Sequence, residues 1–293
     1  MERCYDKVIA VRTAAATGLC FLQNAEDPDE EVLKQLSHHL QFESVSSIRS
    51  IYASRIMIHP ITTDCLLERL RDEDLFIRLN VIHNIRDHSL VQDLPIKLRH
   101  ALIYLLQDRN EVIVTATESL LVSWCERNSI LLLLSLLDLE GDEMAGELFL
   151  NAIFHYEQKH HVNTFTANAA ISLPQLSSYT SFYLYAIVRF FFEQNLESNI
   201  DQYIPDIPGF CNLITSSLFE RSTDCSVYRN LIRCLQYLEV SDAVCKNEVL
   251  KVIRYILAVP YGIREDLVVE EEHVHVLLQA LLNLTDSEPM FLR

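Results

Sequence analysis

The stretch "RDEDLFIRLNVIHNI", residues 71–85, decides the fold. Asp72, Glu73 and Asp74 stand together, and a lone Arg78 then interrupts an apolar run where a packed helix ordinarily carries a hydrophobe. Three other segments follow the same pattern: "DKVIAVRTAAATGL" (6–19), "ESVSSIRSIYASRI" (43–56) and "RNEVIVTATESLLVSW" (109–124). Aligned on the apolar–Arg dipeptide, Arg12, Arg49 and Arg78 share one register, and Ile113 takes the fourth place. An acid stands six residues before each arginine: Asp6, Glu43 and Asp72. Ala15, Ala16 and Leu19, then Tyr52, Ala53 and Ile56, then Val81, Ile82 and Ile85 follow at three, four and seven positions, which is one face of a helix. The anchors are 37, 29 and 35 residues apart, a period of stacked helix pairs.

The surrounding chain agrees. Apolar residues recur at helical spacing in 8–22, 30–40, 48–58, 61–70, 76–86, 96–106, 112–124, 129–138 and 145–156. The connections "NAEDPDE", "FESVS", "RDED" and "QDRNE" are short and carry turn residues. No alternating strand pattern competes. With 293 residues, 49% hydrophobic, five Gly and eight Pro, the chain is neither disordered nor a turn-rich β fold. It is long for one compact core and ordinary for a solenoid. The expected fold is all-α, a solenoid of antiparallel helix pairs spanning 1–293, with sub-blocks 1–157 and 168–293 and a loop near 158–175.

The net charge is −17, which excludes nucleic-acid binding by bulk charge. Residues 1–110 hold 13 basic and 16 acidic groups, whereas 111–293 hold 11 and 25. The eight cysteines form no C-x-x-C pair and lie in apolar, helix-like stretches, so they read as free thiols in a reducing compartment. Charges break up "MERCYDKVIAVR" as a signal peptide, and "SILLLLSLLDL" is too short to span a bilayer. No membrane, metal or cofactor is expected. His38–His39 and His160–His161 are adjacent, so they diverge on a helix, and His273 and His275 have no third ligand at useful spacing. No phosphate-cradling, nucleophile-elbow or zinc-protease motif occurs, so the chain reads as non-enzymatic. Glu270–Glu272 read as a solvated face, and "SFYLYAIVRFFFEQ" (181–194) reads as core rather than a peptide pocket.

The Asp-to-Arg register resembles that of HEAT repeats, in which the second helix of each pair opens on Asp-x-x-x-Val-Arg. The acid caps a turn or helix start, and the arginine can bridge to the acid of the neighbouring repeat. Asp6, Arg12, Glu43, Arg49, Asp72 and Arg78 are therefore read as a structural ladder. A closer resemblance is carried by "TTDCLLERLRDEDLFIRLNVIHNI" (62–85), "LPIKLRHALIYLLQDRNEVIVTATESLLVSW" (94–124) and "LLSLLDLEGDEMAGELFLNAIF" (133–154). These segments are similar to the HEAT subunit of condensin known as chromosome-associated protein G. "SFYLYAIVRFFFEQ", "IPDIPGFCNLI" (204–214) and "EDLVVEEEHVHVLLQALLNLTDSEPMFL" (265–292) fit its later helices less tightly. Two departures stand out. Ile113 replaces an expected arginine, and family members are several times longer. "MERCY" is too short for the first helix of a pair, so helix 8–22 lacks an N-terminal neighbour, and the chain looks like a central piece or a reduced form of a longer solenoid.

The resemblance implies a non-catalytic scaffold whose groove holds a kleisin segment within an SMC-containing condensin complex and which helps grip double-stranded DNA. It implies a place in mitotic chromosome condensation, in the nucleus and on chromosomes with a cytoplasmic pool. Residues 45–110 hold nine basic groups against eight acids. Of these, Arg55, Arg86, Lys97 and Arg99 lie clear of the ladder and are the candidate phosphate contacts. Such binding would be weak, backbone-directed and blind to base sequence. The acidity of 111–293 supports another reading, an acidic adaptor such as a nuclear-transport receptor binding basic cargo peptides.

Overall fold

Each ladder acid first folds its own turn. The backbone N–H two residues on donates to the carboxylate: Val8 to Asp6 at 2.9 Å, Val45 to Glu43 at 3.0 Å, Asp74 to Asp72 at 3.0 Å and Asn110 to Asp108 at 2.8 Å. In each case that next-but-one residue is the N-cap of a helix: α1 (Ile9–Cys20), α3 (Ser46–Ala53), α5 (Leu75–His88) and α7 (Glu111–Arg127). Asp74 and Asn110 cap in their own right, accepting from Phe76 and Val112. The computed structural model describes residues 2–24, 29–139, 141–167, 171–204, 206–219, 224–238, 240, 242–258 and 275–281. Among them there is no strand.

The chain divides into two compact units, Met1–Asn168 and Ala169–Arg293. In the first, α1, α3, α5, α7 and α9 (Glu143–His160) pack in series as one row, and α2 (Glu30–Phe42), α4 (Pro60–Arg69) and α6 (Ile96–Tyr104) pack as the other. The short α8 (Ile130–Leu136) sits on α7, and α10 (Thr164–Ala167) on α9. The residues after each ladder position form the floor between rows: Ala16, Tyr52, Ala53, Val81, Ile82 and Ile85 are buried. The fold is an α-solenoid of HEAT-type helix pairs.

Two expectations shift in detail. The helix expected over 48–58 is Ser46–Ala53, because Pro60 opens α4 and holds His59 extended, and because Asn84 takes the carbonyls of Ala53 and Ile56 at 3.1 and 2.8 Å. The fourth register place belongs to Val114, six residues after Asp108. Ile113 is fully buried, like Ile48 and Ile77, and so occupies the apolar place one residue before the arginine.

The second unit holds α11 (Ser178–Glu193), α12 (Ile207–Phe219), α13 (Cys225–Cys234) and α14 (Ala243–Ala258), with 275–281 also helical. α11 packs on α13, and α12 packs on both α13 and α14. Among the described residues, aromatic and hydroxyl contacts join α11 to α13. Asn230 Nδ2 donates to Ser181 Oγ at 3.1 Å, Ser226 Oγ to Ser178 Oγ at 2.8 Å, and the Arg233 guanidinium stands 4.2 Å over the Tyr185 ring. Phe182, Tyr183, Tyr185 and Phe190 of α11 are buried as core. The Glu270–Glu272 run, His273 and most of 265–292 lie outside the described residues.

Candidate partner and nucleic-acid interface

The first unit has two edges. The turns entering α1, α3, α5, α7 and α9 carry the acids, and the candidate cations stand at the end of α3 (Arg55), the end of α5 (Arg86) and in α6 (Lys97, Arg99).

At the entering edge, charged side chains join successive helices. Arg12 reaches across to Glu43 through Nε and Nη2, both at 3.1 Å, while Nη1 donates to its own turn at the Asp6 carbonyl, 2.9 Å. Arg49 repeats the arrangement, with Nε and Nη2 at 3.3 Å from Asp72 and Nη1 at 2.9 Å from the Glu43 carbonyl. Arg78 continues it to Asp108. Each arginine thus ties its own turn or helix to the turn of the next repeat. The two-pronged guanidinium suits this, since it matches a carboxylate bidentately. Burial pushes the Glu43 and Asp72 carboxyls up, but their hydrogen bonds outweigh it and both titrate below the ordinary range. Glu43 is held by Arg12 and the Val45 N–H, and Asp72 by the Asp74 N–H, Arg49 and Arg69.

Asp108 is the acid that the sequence reading missed. It stands six residues before Val114, an apolar residue, so alignment on arginines passes over it. Val114 has no charge to pass on, and the next turn is tied differently. Asp142, the N-cap of α9, accepts Tyr104 Oη at 2.7 Å and lies 3.3 Å from His100 Nδ1, both from α6.

At the opposite edge, Gln23 and Asn84 lock the turns. Gln23 Nε2 donates to the Arg55 carbonyl at 2.8 Å, and its Oε1 accepts the Met57 N–H at 2.6 Å. Here a cleft of about 800 Å³ is lined by Phe21, Arg55, Met57, His59, His88 and Asp93 among others. Arg55 is exposed, with its guanidinium 5.7 Å from the Phe21 ring centroid. Lys97 is exposed in the first turn of α6. Arg86, in the last turn of α5, is engaged by Asp87 at 2.9 Å. These three reach solvent along one edge and can meet an anion.

Arg99 does not belong with them. It is half-buried, Nη1 donates to the Leu136 carbonyl and Nη2 to the Gln92 carbonyl at 3.0 Å, and burial lowers its pKa despite the nearby Asp93. It ties α6 to the end of α8. A guanidinium committed to two carbonyls has few donors left to offer a phosphate.

Among the described residues, no group of three or more His, Cys, Asp or Glu is placed to hold a metal. His39 is buried and stacked on Tyr52 at 5.8 Å between centroids, which accounts for it as core. No single described helix is long and apolar enough to cross a membrane.

No protein-family model matches the sequence, and no curated protein matches it. Among solved structures, a chain of the S. pombe condensin Cnd3-Cnd2 subcomplex superposes with a TM-score of 0.75 at 20% identity, over 97% of this chain. This chain spans 37% of the length of that one. The likeness shows the fold. An engineered protein aligns at a TM-score of 0.25 and 12% identity, which carries no argument.

Proposed function

We propose that this chain is a HEAT-repeat scaffold of the condensin type, which holds a segment of the kleisin subunit, joins an SMC-containing assembly and contributes weak, sequence-independent contacts to double-stranded DNA. The observation that carries this reading is the superposition on a condensin subcomplex along 97% of the chain. The placement of Arg55, Arg86 and Lys97 along one edge adds to it, because a duplex backbone needs a row of cations on one face rather than a basic chain. The chain does no chemistry in this reading. It acts in chromosome condensation during mitosis, in the nucleus and on chromosomes, with a cytoplasmic pool.

The acidity of the chain shapes the mechanism. With a net charge of −17, the chain repels duplex DNA at long range, so the kleisin segment supplies part of the positive surface and the three cations position the backbone locally. The test is a titration of fluorescent duplex against the parent chain and against the triple reversal Arg55→Glu, Arg86→Glu, Lys97→Glu, with and without a kleisin segment. The proposal expects binding that falls with salt, rises with the kleisin segment and is lost in the triple variant. Equal binding by parent and variant would remove these residues from the DNA grip. A second reading, an adaptor for basic cargo peptides, rests on the excess of 25 acidic over 11 basic groups in 111–293 and predicts that a Lys/Arg-rich peptide outcompetes both ligands.

A further inference from the structure

The edge that carries the ion ladder also carries an apolar row that folding does not explain. The second residue of α5 is Phe76, that of α7 is Val112 and that of α9 is Met144. They are 70%, 52% and 54% exposed. Each stands two residues after its N-cap (Asp74, Asn110, Asp142), so the three occupy one register position on three helices that pack in series. In the first helix turn, a solvent-facing position favours an acidic or small polar residue, which complements the unpaired N–H groups and the helix dipole. A phenylalanine, a valine and a methionine there gain nothing from their own helices. At the same place in α1 and α3 stand Ala10 and Ser47, so the large apolar residues begin at α5.

Charge and spacing identify what fits. The turns beside the row bring Glu73, Asp74, Glu111, Asp138 and Glu143 against Arg71 and Arg109. The helix starts themselves are already occupied by capping carboxylates and an amide, so their N–H groups do not attract a further anion. An acidic, apolar edge complements a basic, apolar partner. Packed helix axes lie about 8–10 Å apart. A polyproline II chain rises about 3.1 Å per residue with three residues per turn, so every third side chain returns to the same face after about 9.3 Å. A β-strand repeats on one face every second residue and does not match that spacing. We infer that the row Phe76–Val112–Met144 docks a polyproline II segment of a protein partner that carries an apolar side chain at every third position and Lys or Arg between. The three apolar residues take the anchors, and Glu73 and Glu111 take the cations.

The experiment uses the full chain and a fluorescein-labelled peptide of about four Leu-Pro-Lys repeats, which holds the polyproline II form in solution. Anisotropy titrations compare it with a Leu-Pro-Glu peptide and with a peptide of as many Leu-Pro-Lys-Ser repeats, equal in charge and in Leu but wrong in spacing. The parent chain should bind Leu-Pro-Lys and neither control. Phe76→Ser, Val112→Ser and Met144→Ser combined should weaken binding about ten-fold or more, as expected for loss of buried anchors. Glu73→Lys with Glu111→Lys should weaken it comparably, in a salt-sensitive way. Circular dichroism and melting of both variants should match the parent, because the substituted side chains face solvent. No binding of Leu-Pro-Lys overturns the inference. Equal binding of the wrongly spaced peptide reduces it to bulk charge attraction and overturns it as well. If sedimentation shows the parent self-associating and the triple Ser variant not, the row is an interface between copies and the inference fails.

Discussion

Arg49→Ala tests the ladder where it is best connected. Arg49 makes four bonds: two to Asp72, one to the Glu43 carbonyl and one to the Ser44 carbonyl at 3.1 Å. Its side chain is 16% exposed and that of Asp72 is 2% exposed, so the pair is well shielded from water. A surface pair is worth about 0–1 kcal/mol. Stranding a buried charge costs about 3–5 kcal/mol. Arg49→Ala falls between, because Asp72 keeps Arg69 at 2.9 Å and the Asp74 N–H. The expected loss is about 2 kcal/mol, the sum of forfeited charge-assisted bonds less what Arg69 and entering water recover. Arg55→Ala, an exposed control, should change stability by no more than about 0.5 kcal/mol. Urea melts followed by circular dichroism, with amide exchange in α3 and α5 to locate the effect, measure both. A cycle with Asp72→Asn should return a coupling of about 1–2 kcal/mol, inside the range of about 0.5–3 kcal/mol for residues in one network. If Arg49→Ala melts like Arg55→Ala, or the cycle is additive, the rungs do not hold the repeats together and the reasoning is refuted.

Three further outcomes follow from the same geometry. Glu43 and Asp72 titrate below their unfolded values, so the stability they contribute is present above about pH 4.5 and is lost as pH falls through their folded values; melts from pH 7 to pH 3 should stay level to about pH 5 and then drop, less steeply in Glu43→Gln. Arg99→Ala should lower the melting midpoint because it frees two carbonyls, whereas Lys97→Ala should not, which a thermal scan of both reads directly. Burial pushes the thiols of Cys20 and Cys65 up to about 11 and that of Cys211 up to about 12, while Cys225 is exposed, so maleimide labelling of the native chain should modify Cys225 first and these three only after unfolding.

The first half of the fold was legible because its signal is local and repeated. An acid closes a turn, an arginine follows six residues on, and apolar residues mark the face below, so one aligned column recovers the row α1, α3, α5 and α7. The same method misplaced Ile113 by one residue, since a valine at the arginine place leaves only hydrophobicity to align on. Asp108 escaped for the same reason. Arg99 could not be told from Lys97, because only the return of α8 beneath α6 brings the Leu136 carbonyl to its guanidinium. Gln23 and Asn84 carry no pattern at all, as their partners are backbone groups roughly thirty residues away in sequence. Phe76 and Val112 open the apolar spans 76–86 and 112–124 and Met144 stands just before 145–156, so nothing in the spacing sets them apart and only their exposure does. The second unit was less legible because the aromatic and hydroxyl contacts described between α11 and α13 do not recur at a fixed period.

The measurement closest to the central claim is a calorimetric titration of a kleisin segment into the full chain, followed by duplex DNA. The account predicts saturable one-to-one binding of the segment at about micromolar affinity or tighter, and a duplex affinity that is higher in the presence of the segment and falls steeply with salt. No heat from the kleisin segment, together with tight binding of a Lys/Arg-rich cargo peptide, would contradict it and leave an acidic adaptor in its place.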